Sequence, residues 1–222
     1  MISVFYVCIF YMLGVILDIK LKPYAYHQHK FIVNTSVSLI HACIVCLLGI
    51  LHLSKYDSNQ IDNSLYINNV LAISIGYFIY DSINICILHK SIFTIYTIHH
   101  LLALIPTVYS LHYNIYGGFV YNCLLLGELT NPIMQSVELN KLVKVYSNHW
   151  IYNIEYYNIV VYCIIRFLVS PIYYITMNKY IQDNVLFTLS GISMSLLIFG
   201  SYSWVQSKYN IMPDWEEYMY YS

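Results

Sequence analysis

Seven apolar runs, at about 2–19, 32–53, 68–88, 93–113, 115–139, 154–177 and 185–207, leave this chain little choice but to become a bundle of membrane-spanning helices. Each run is near the ~20 residues that a helix rising ~1.5 Å per residue needs to cross a ~30 Å hydrocarbon core. Only 9% of the 222 residues are charged, against roughly a quarter in soluble domains, so the runs are not the buried helices of a water-soluble fold. Backbone in lipid must bond to itself, so the expected fold is all-α and polytopic, with about seven spans. The connections between runs are short. Whatever chemistry the chain performs has to sit among the helices.

The first run has no basic stretch ahead of it and no small-x-small cleavage site before Asp18 and Lys20, so it reads as a retained helix rather than a signal peptide. If it lies at the interface instead, six spans remain. Cys8, Cys43, Cys46, Cys86, Cys123 and Cys163 all fall within runs, where they act as small apolar residues rather than as a disulfide framework. Cys43 and Cys46 form a lone CxxC with no second pair, so no metal site is expected. With seven spans, one face carries Lys20, Lys22, Lys30, Lys90, Lys141, Lys144 and Lys208, and the other only Lys55 and Lys179. Basic residues favour the cytosol, which places the amino terminus in the lumen and the carboxyl terminus in the cytosol. A net charge of −1 with no continuous basic stripe excludes nucleic acid as a partner.

Against this background the ionisable residues inside the runs stand out. Each costs about 2.5–3.5 kcal/mol at the centre of a span, so it needs a partner or a task. In the third run Ser74, Tyr77, Asp81 and Asn84 recur at steps of three and four, which puts them on one helical face. The second run repeats the pattern with Asn34, Ser38 and His41, the fifth with Tyr121, Glu128, Asn131 and Gln135, and the sixth with Asn158, Tyr162 and Arg166. The first run has no such stripe. Spans two to seven should therefore enclose a polar interior, with the first packed outside. Counted from the turn near Asn114, His100 and Glu128 both lie ~18–21 Å deep, and Asp81 and Arg166 fall at a comparable level. Pro106, Pro132 and Pro171 follow His100, Glu128 and Arg166 closely, and kinks there would widen a cavity.

His99 and His100 are neighbours about 100° apart on a helix, so only one can point squarely inward. His100 is the expected one, since it shares a face with Tyr96, Thr97 and Thr107. A general base or nucleophile needs a neutral imidazole, and Glu128 or Asp81 on the other ring nitrogen would fix its tautomer. A di-iron oxygenase needs several His-rich clusters; this chain has one HH pair.

In this order the motifs Asn34 to Ala42 (NTSVSLIHA), Gly76 to Asp81 (GYFIYD), Ile98-His-His-Leu, Glu128-Leu-Thr-Asn-Pro132, Arg166 followed by Pro171, and Trp204 resemble the TLC-domain superfamily. This group of lipid-handling membrane proteins includes the ceramide synthases. The resemblance implies a first helix and linker over 1–30, a TLC domain over 31–208 in which spans two to seven form a barrel, and a short tail over 209–222. It also implies an internal membrane, the endoplasmic reticulum. Ceramide synthases are similar in carrying an intramembrane HH pair, required there for joining an acyl-CoA to a sphingoid amine. Their next helix has His-Asp with a second Asp three residues on; here Gly127 replaces the His, Glu128 stands near the first Asp, and Asn131 near the second. That departure looks more like the small TLC-domain-containing proteins of lipid homeostasis, and it leaves catalysis open.

Two readings follow. In the first, the chain binds, senses or transfers a membrane lipid or acyl chain within the helical chamber, with no cofactor. In the alternative it is a lipid N-acyltransferase with acyl-CoA as cosubstrate, in which His100, His99 and Glu128 are catalytic. Asp81, Tyr77, Asn131, Arg166 and His41 are the expected substrate-binding residues, with Lys141 and Lys144 available to CoA phosphates. The sequence leaves a homodimer open.

Overall fold

The computed structural model describes residues 2–21, 26–55, 61–88, 93–143 and 148–211. Its helices are α1 (Ile2–Lys20), α2 (Tyr26–Lys55), α3 (Leu65–Leu88), α4 (Phe93–Tyr113), α5 (Gly117–Glu128), α6 (Asn131–Val143), α7 (Asn148–Ile164), α8 (Ser170–Met177) and α9 (Asn184–Ile211). A π-helical turn, Ile165–Val169, joins α7 to α8 in one rod, and α5 and α6 are separated by only Leu129 and Thr130. Seven rods result, and the protein is an all-α polytopic membrane protein. Among the described residues five helical stretches are long and apolar enough to span by themselves, namely Ser3–Lys20, His29–Leu53, Leu65–Ile87, Asn153–Met177 and Asn184–Gln206. Isoleucines, leucines and phenylalanines stay exposed on their outer faces, Ile175 and Phe199 at 70%, as lipid contact requires.

The fifth span departs from the expected single helix. Pro132 has no N–H to give the Glu128 carbonyl, and its ring crowds that turn, so the helix stops at Glu128 and restarts at Asn131. The Cys46 thiol of α2 takes up the freed carbonyl, at 3.8 Å. In the sixth span the disturbance before Pro171 is a π turn rather than a simple kink. Asn158, Tyr162, Arg166 and Ser170 are all buried at four-residue steps. Each such step overshoots an α-turn by roughly 40°, and the wider π turn takes the drift back, keeping Arg166 and Ser170 on the inner face.

The buried half-helix α5 lies against α2, α3, α4 and α8, and α4 lies between α3 and α9. One core gathers around α5, with Val45, Leu71, Phe119, Tyr121 and Leu186 among its members. A second, with Phe10, Val37, Tyr77, Phe78 and Ala103, joins α1 to α2, α3 and α4. The first helix is indeed peripheral, packing on α3 and α2 alone among the described elements with more than marginal contact. It approaches α3 at Gly76, where a Cβ would meet the Cβ of Tyr6 at 2.6 Å and its carbonyl carbon at 2.9 Å. Glycine lets the two backbones come together there.

One end of the bundle is laced by polar groups. Ser64 and Asp183 cap α3 and α9, accepting from the N–H of Ile67 at 3.2 Å and of Leu186 at 2.7 Å. Asn63 reaches across to accept from the Gly117 N–H at 2.6 Å and to donate to the Ser110 carbonyl at 3.1 Å. Between α4 and α5 the chain turns through left-handed Asn114 (φ 58°) and Tyr116 (φ 49°). The Tyr116 N–H donates to the Ile61 carbonyl at 2.6 Å, and its hydroxyl accepts from the Gln182 N–H at 3.2 Å, which holds a conformation a tyrosine rarely takes. This end fixes the depth of α4 and α5, and hence of the site residues they carry.

Candidate functional site

The polar stripes meet in two separate places. The first is a hydrogen-bonded seam where α2, α3 and α4 touch. Tyr77 donates to the Ser38 hydroxyl at 2.9 Å, and Ser38 donates to the Asn34 carbonyl at 3.0 Å. The Asn34 amide donates to Asp81 Oδ1 at 2.9 Å, while Asp81 Oδ2 faces His100 Nε2 at 3.4 Å. His100 Nδ1 lies 3.2 Å from the Ser82 hydroxyl. With the imidazole proton on Nε2 toward the carboxylate, Nδ1 accepts from Ser82, so α3 occupies both ring nitrogens. His41 stacks on Tyr77 at 3.7 Å and 10°, fully buried, with neither ring nitrogen hydrogen-bonded.

The second place is a slot of about 50 Å³ among α4, α5, the π turn, α8 and α9, with Phe78 of α3 at its edge. His99, Glu128 and Arg166 line it together with Ser190 and Ser193, over walls that include Leu102, Val120 and Met194. Here the structure corrects the expectation for the paired histidines. The lining residues of α4 are 99, 102, 103, 106 and 107, a face centred on His99. His100 is about 100° round the helix and turned to α3, where Asp81 and Ser82 satisfy it. Of the three residues on which the choice of His100 rested, Thr107 lines the slot with His99, and the side chains of Tyr96 and Thr97 lie outside the described residues. Of the two carboxylates offered as its partner, Asp81 is the one beside His100.

Glu128 and Arg166 are both buried in the bundle. Glu128 Oε2 accepts from the Asn131 amide at 2.8 Å, and the guanidinium donates through Nη2 to the Gly127 carbonyl at 2.6 Å. The break in one helix is thus served by the other, since the arginine of the π turn caps a carbonyl at the end of α5. Arg166 also sits over the Tyr162 ring, 5.3 Å from its centroid. Gly127 carries no side chain to obstruct this approach, and a Cβ there would lie 3.7 Å from Nη1. Among the described residues no ion pair within 4.0 Å joins Arg166 or Glu128 to an opposite charge. Arg166 Nε and Ser190 Oγ are buried without a hydrogen-bond partner.

The expected site residues therefore divide. His99, Glu128 and Arg166 are in the slot; Asp81, His100, Tyr77 and His41 are in the seam; Asn131 braces Glu128 from outside the slot. Lys141 is engaged by Glu138 at 3.3 Å and Glu155 at 2.8 Å. Lys144 lies outside the described residues. Sequence reasoning missed Ser82, Ser190 and Ser193. For the last two a signal was present, because Leu186, Ser190, Ser193, Leu197 and Ser201 recur at steps of three and four along the last span. Among the described residues no three His, Cys, Asp or Glu side chains converge as a metal site would require.

A family model described as TLC domain matches residues 32–207. The chain belongs to the TLC-domain family. The match takes in every residue of the seam and the slot and leaves α1 outside. No curated protein and no solved structure gives a match.

Proposed function

We propose that this TLC-domain protein binds a membrane lipid inside its bundle and serves membrane lipid homeostasis as a lipid-binding, sensing or transfer protein. The lipid headgroup meets Glu128, Arg166 and His99, and the beginning of an acyl chain lies along the apolar walls of the slot. The observation that carries this reading is that Glu128 and Arg166 line one slot without pairing directly. Two such groups in a membrane-spanning bundle are costly, and a purely structural role would favour their contact. The lysine distribution supports a lumenal amino terminus and a cytosolic carboxyl terminus, and the family supports the endoplasmic reticulum. The test is mass spectrometry of lipids that copurify in mild detergent. Wild type should retain a stoichiometric lipid that Arg166→Gln and His99→Ala lose; equal retention by all three would reduce these residues to structural ones.

A second reading is favoured by the imidazole of His99, which lines the slot in edge contact with an Asp81-supported His100. It is N-acyl transfer from acyl-CoA to a lipid amine. His99 would take the amine proton as nitrogen attacks the thioester carbonyl, Glu128 would orient the amine, and the CoA thiolate would leave. Asp81, Tyr77 and His41 would hold His100 from behind. Acyl transfer in proteoliposomes that vanishes in His99→Ala, with bound lipid retained, would select this reading.

A further inference from the structure

The first helix lies outside the matched TLC range, and at one end it is fastened to α2 by polar contacts. Asp18, in the last turn of α1, presents Oδ1 to two residues of α2: the Lys30 ammonium donates to it at 2.5 Å, and His29 Nε2 lies 3.0 Å away. On the other side of the ring, His29 Nδ1 lies 2.7 Å from the carbonyl of Leu21, the residue that follows α1. That carbonyl has no helical N–H to accept from, because the helix has ended. Among the described residues these are the hydrogen bonds that join α1 and Leu21 to another helix. Farther along, α1 docks by close packing on α3 at Gly76.

Both ring nitrogens of His29 thus face acceptors. A carbonyl oxygen can only accept, and the ammonium on the same oxygen marks Asp18 as an ionised, acceptor-only carboxylate. A neutral imidazole has one N–H and one lone pair, so it serves one of these oxygens and sets its lone pair against the other. An imidazolium donates to both. His29 is only 6% exposed, so water does not readily replace a bond lost there. The charges in contact with it are Asp18 from α1 and Lys30 from its own helix, while Lys20 in the last turn of α1 is exposed. On the other helices packed against α2, Asp81 is engaged by Asn34 and His100, Glu128 by Asn131, and Lys141 by Glu138 and Glu155.

We propose that a doubly protonated His29 clasps α1 to the TLC domain, so that docking of the first helix responds to pH at that face of the membrane. Because the docked arrangement binds the extra proton, the clasp is complete at the acid side of the histidine range, about pH 5–8, and opens as pH rises through it. Its effect reaches the seam, since Phe10 of α1 meets His41 and Tyr77 edge-on, at 5.9 Å and 5.6 Å between ring centres. The inference is independent of the lipid-binding reading. It is tested on the full chain in nanodiscs. In nitrogen NMR of histidine-labelled protein, the signal missing from His29→Gln should show both ring nitrogens protonated at about pH 6; a neutral ring there would overturn the proposal. Hydrogen exchange of the amides at the end of α1 reads the clasp itself, with His29→Gln at the same pH as reference. Wild type should exchange at least about tenfold more slowly than the variant at about pH 6, the scale of one charge-assisted hydrogen bond, and within about twofold of it at about pH 8. Asp18→Asn, which removes the carboxylate that calls for the second proton, should erase this pH dependence as well. Equal exchange of wild type and His29→Gln at both pH values would show that the clasp does not hold α1, and the same slowing at both would show a contact that needs no proton; either result overturns the proposal.

Discussion

Replacing Asp81 offers the sharpest test of the seam, because its partners are known atom by atom. Asp81→Ala strands the Asn34 amide, now 2.9 Å from Oδ1, and His100 Nε2, now 3.4 Å from Oδ2, in a place where Asp81 is only 4% exposed. Side-chain hydrogen bonds between membrane helices average about 0.6 kcal/mol and reach about 1.7. Stranding a buried polar group in a soluble core costs about 1–3 kcal/mol. Two stranded groups therefore destabilise by about 1–3 kcal/mol, nearer the lower figure if water enters. Asp81→Asn keeps an acceptor for Asn34 and can donate to His100 Nε2 once the imidazole proton moves to the Ser82 side, so it should cost less than about 1 kcal/mol. Unfolding in mixed micelles by SDS titration, followed by tryptophan fluorescence, measures both. A double-mutant cycle with Asn34→Ala should return a coupling of about 0.6–1.7 kcal/mol. The reasoning fails if Asp81→Ala lies within about 0.5 kcal/mol of wild type, or if Asn is as damaging as Ala, since neither fits bonds of this strength.

Gly76→Ala places a Cβ against Tyr6 and its backbone, so it should push α1 off α3 and cost about 1–3 kcal/mol, read as a lower unfolding midpoint. Gly127→Ala meets Arg166 only at 3.7 Å, an ordinary contact, and should change stability by less than about 0.5 kcal/mol in the same assay. Pro132→Ala returns an N–H to the Glu128 carbonyl and favours a continuous fifth span; it should preserve or raise stability while reducing copurified lipid, because the turn that lets Asn131 brace Glu128 straightens. Lys141→Ala removes a half-exposed pair with Glu138 and a closer one with Glu155, and should cost no more than about 1 kcal/mol, diminishing at high salt.

The spans and their polar faces were legible because each depends on local periodicity. Apolar length set the number of rods, and steps of three and four residues put Asp81 with Tyr77 and Arg166 with Tyr162 on one face of each helix. Counting a fixed rise per residue from short turns also put Asp81 level with His100 and Arg166 level with the end of α5, and these two pairs do meet. The family resemblance drew on the same residues, and the matched range contains them all.

Only the tertiary structure decided which of these groups meet. A helix turns by about 100° per residue, so a modest rotation of α4 chooses between His99 and His100, and that rotation is set by partners distant in sequence, Asp81 and Ser82 on α3. The break after Glu128 and the π turn at Arg166 likewise depend on more than their prolines. The break after Glu128 leaves carbonyls that must find donors in a medium without water, and the Cys46 thiol and the Arg166 guanidinium reach them from other helices, while at the π turn the Ser170 hydroxyl donates to the Ile165 carbonyl. The sequence determined what each helix shows on its faces. Packing decided which faces hydrogen-bond one another and which leave a slot between them, because satisfaction of a buried polar group is a property of two helices and not of one.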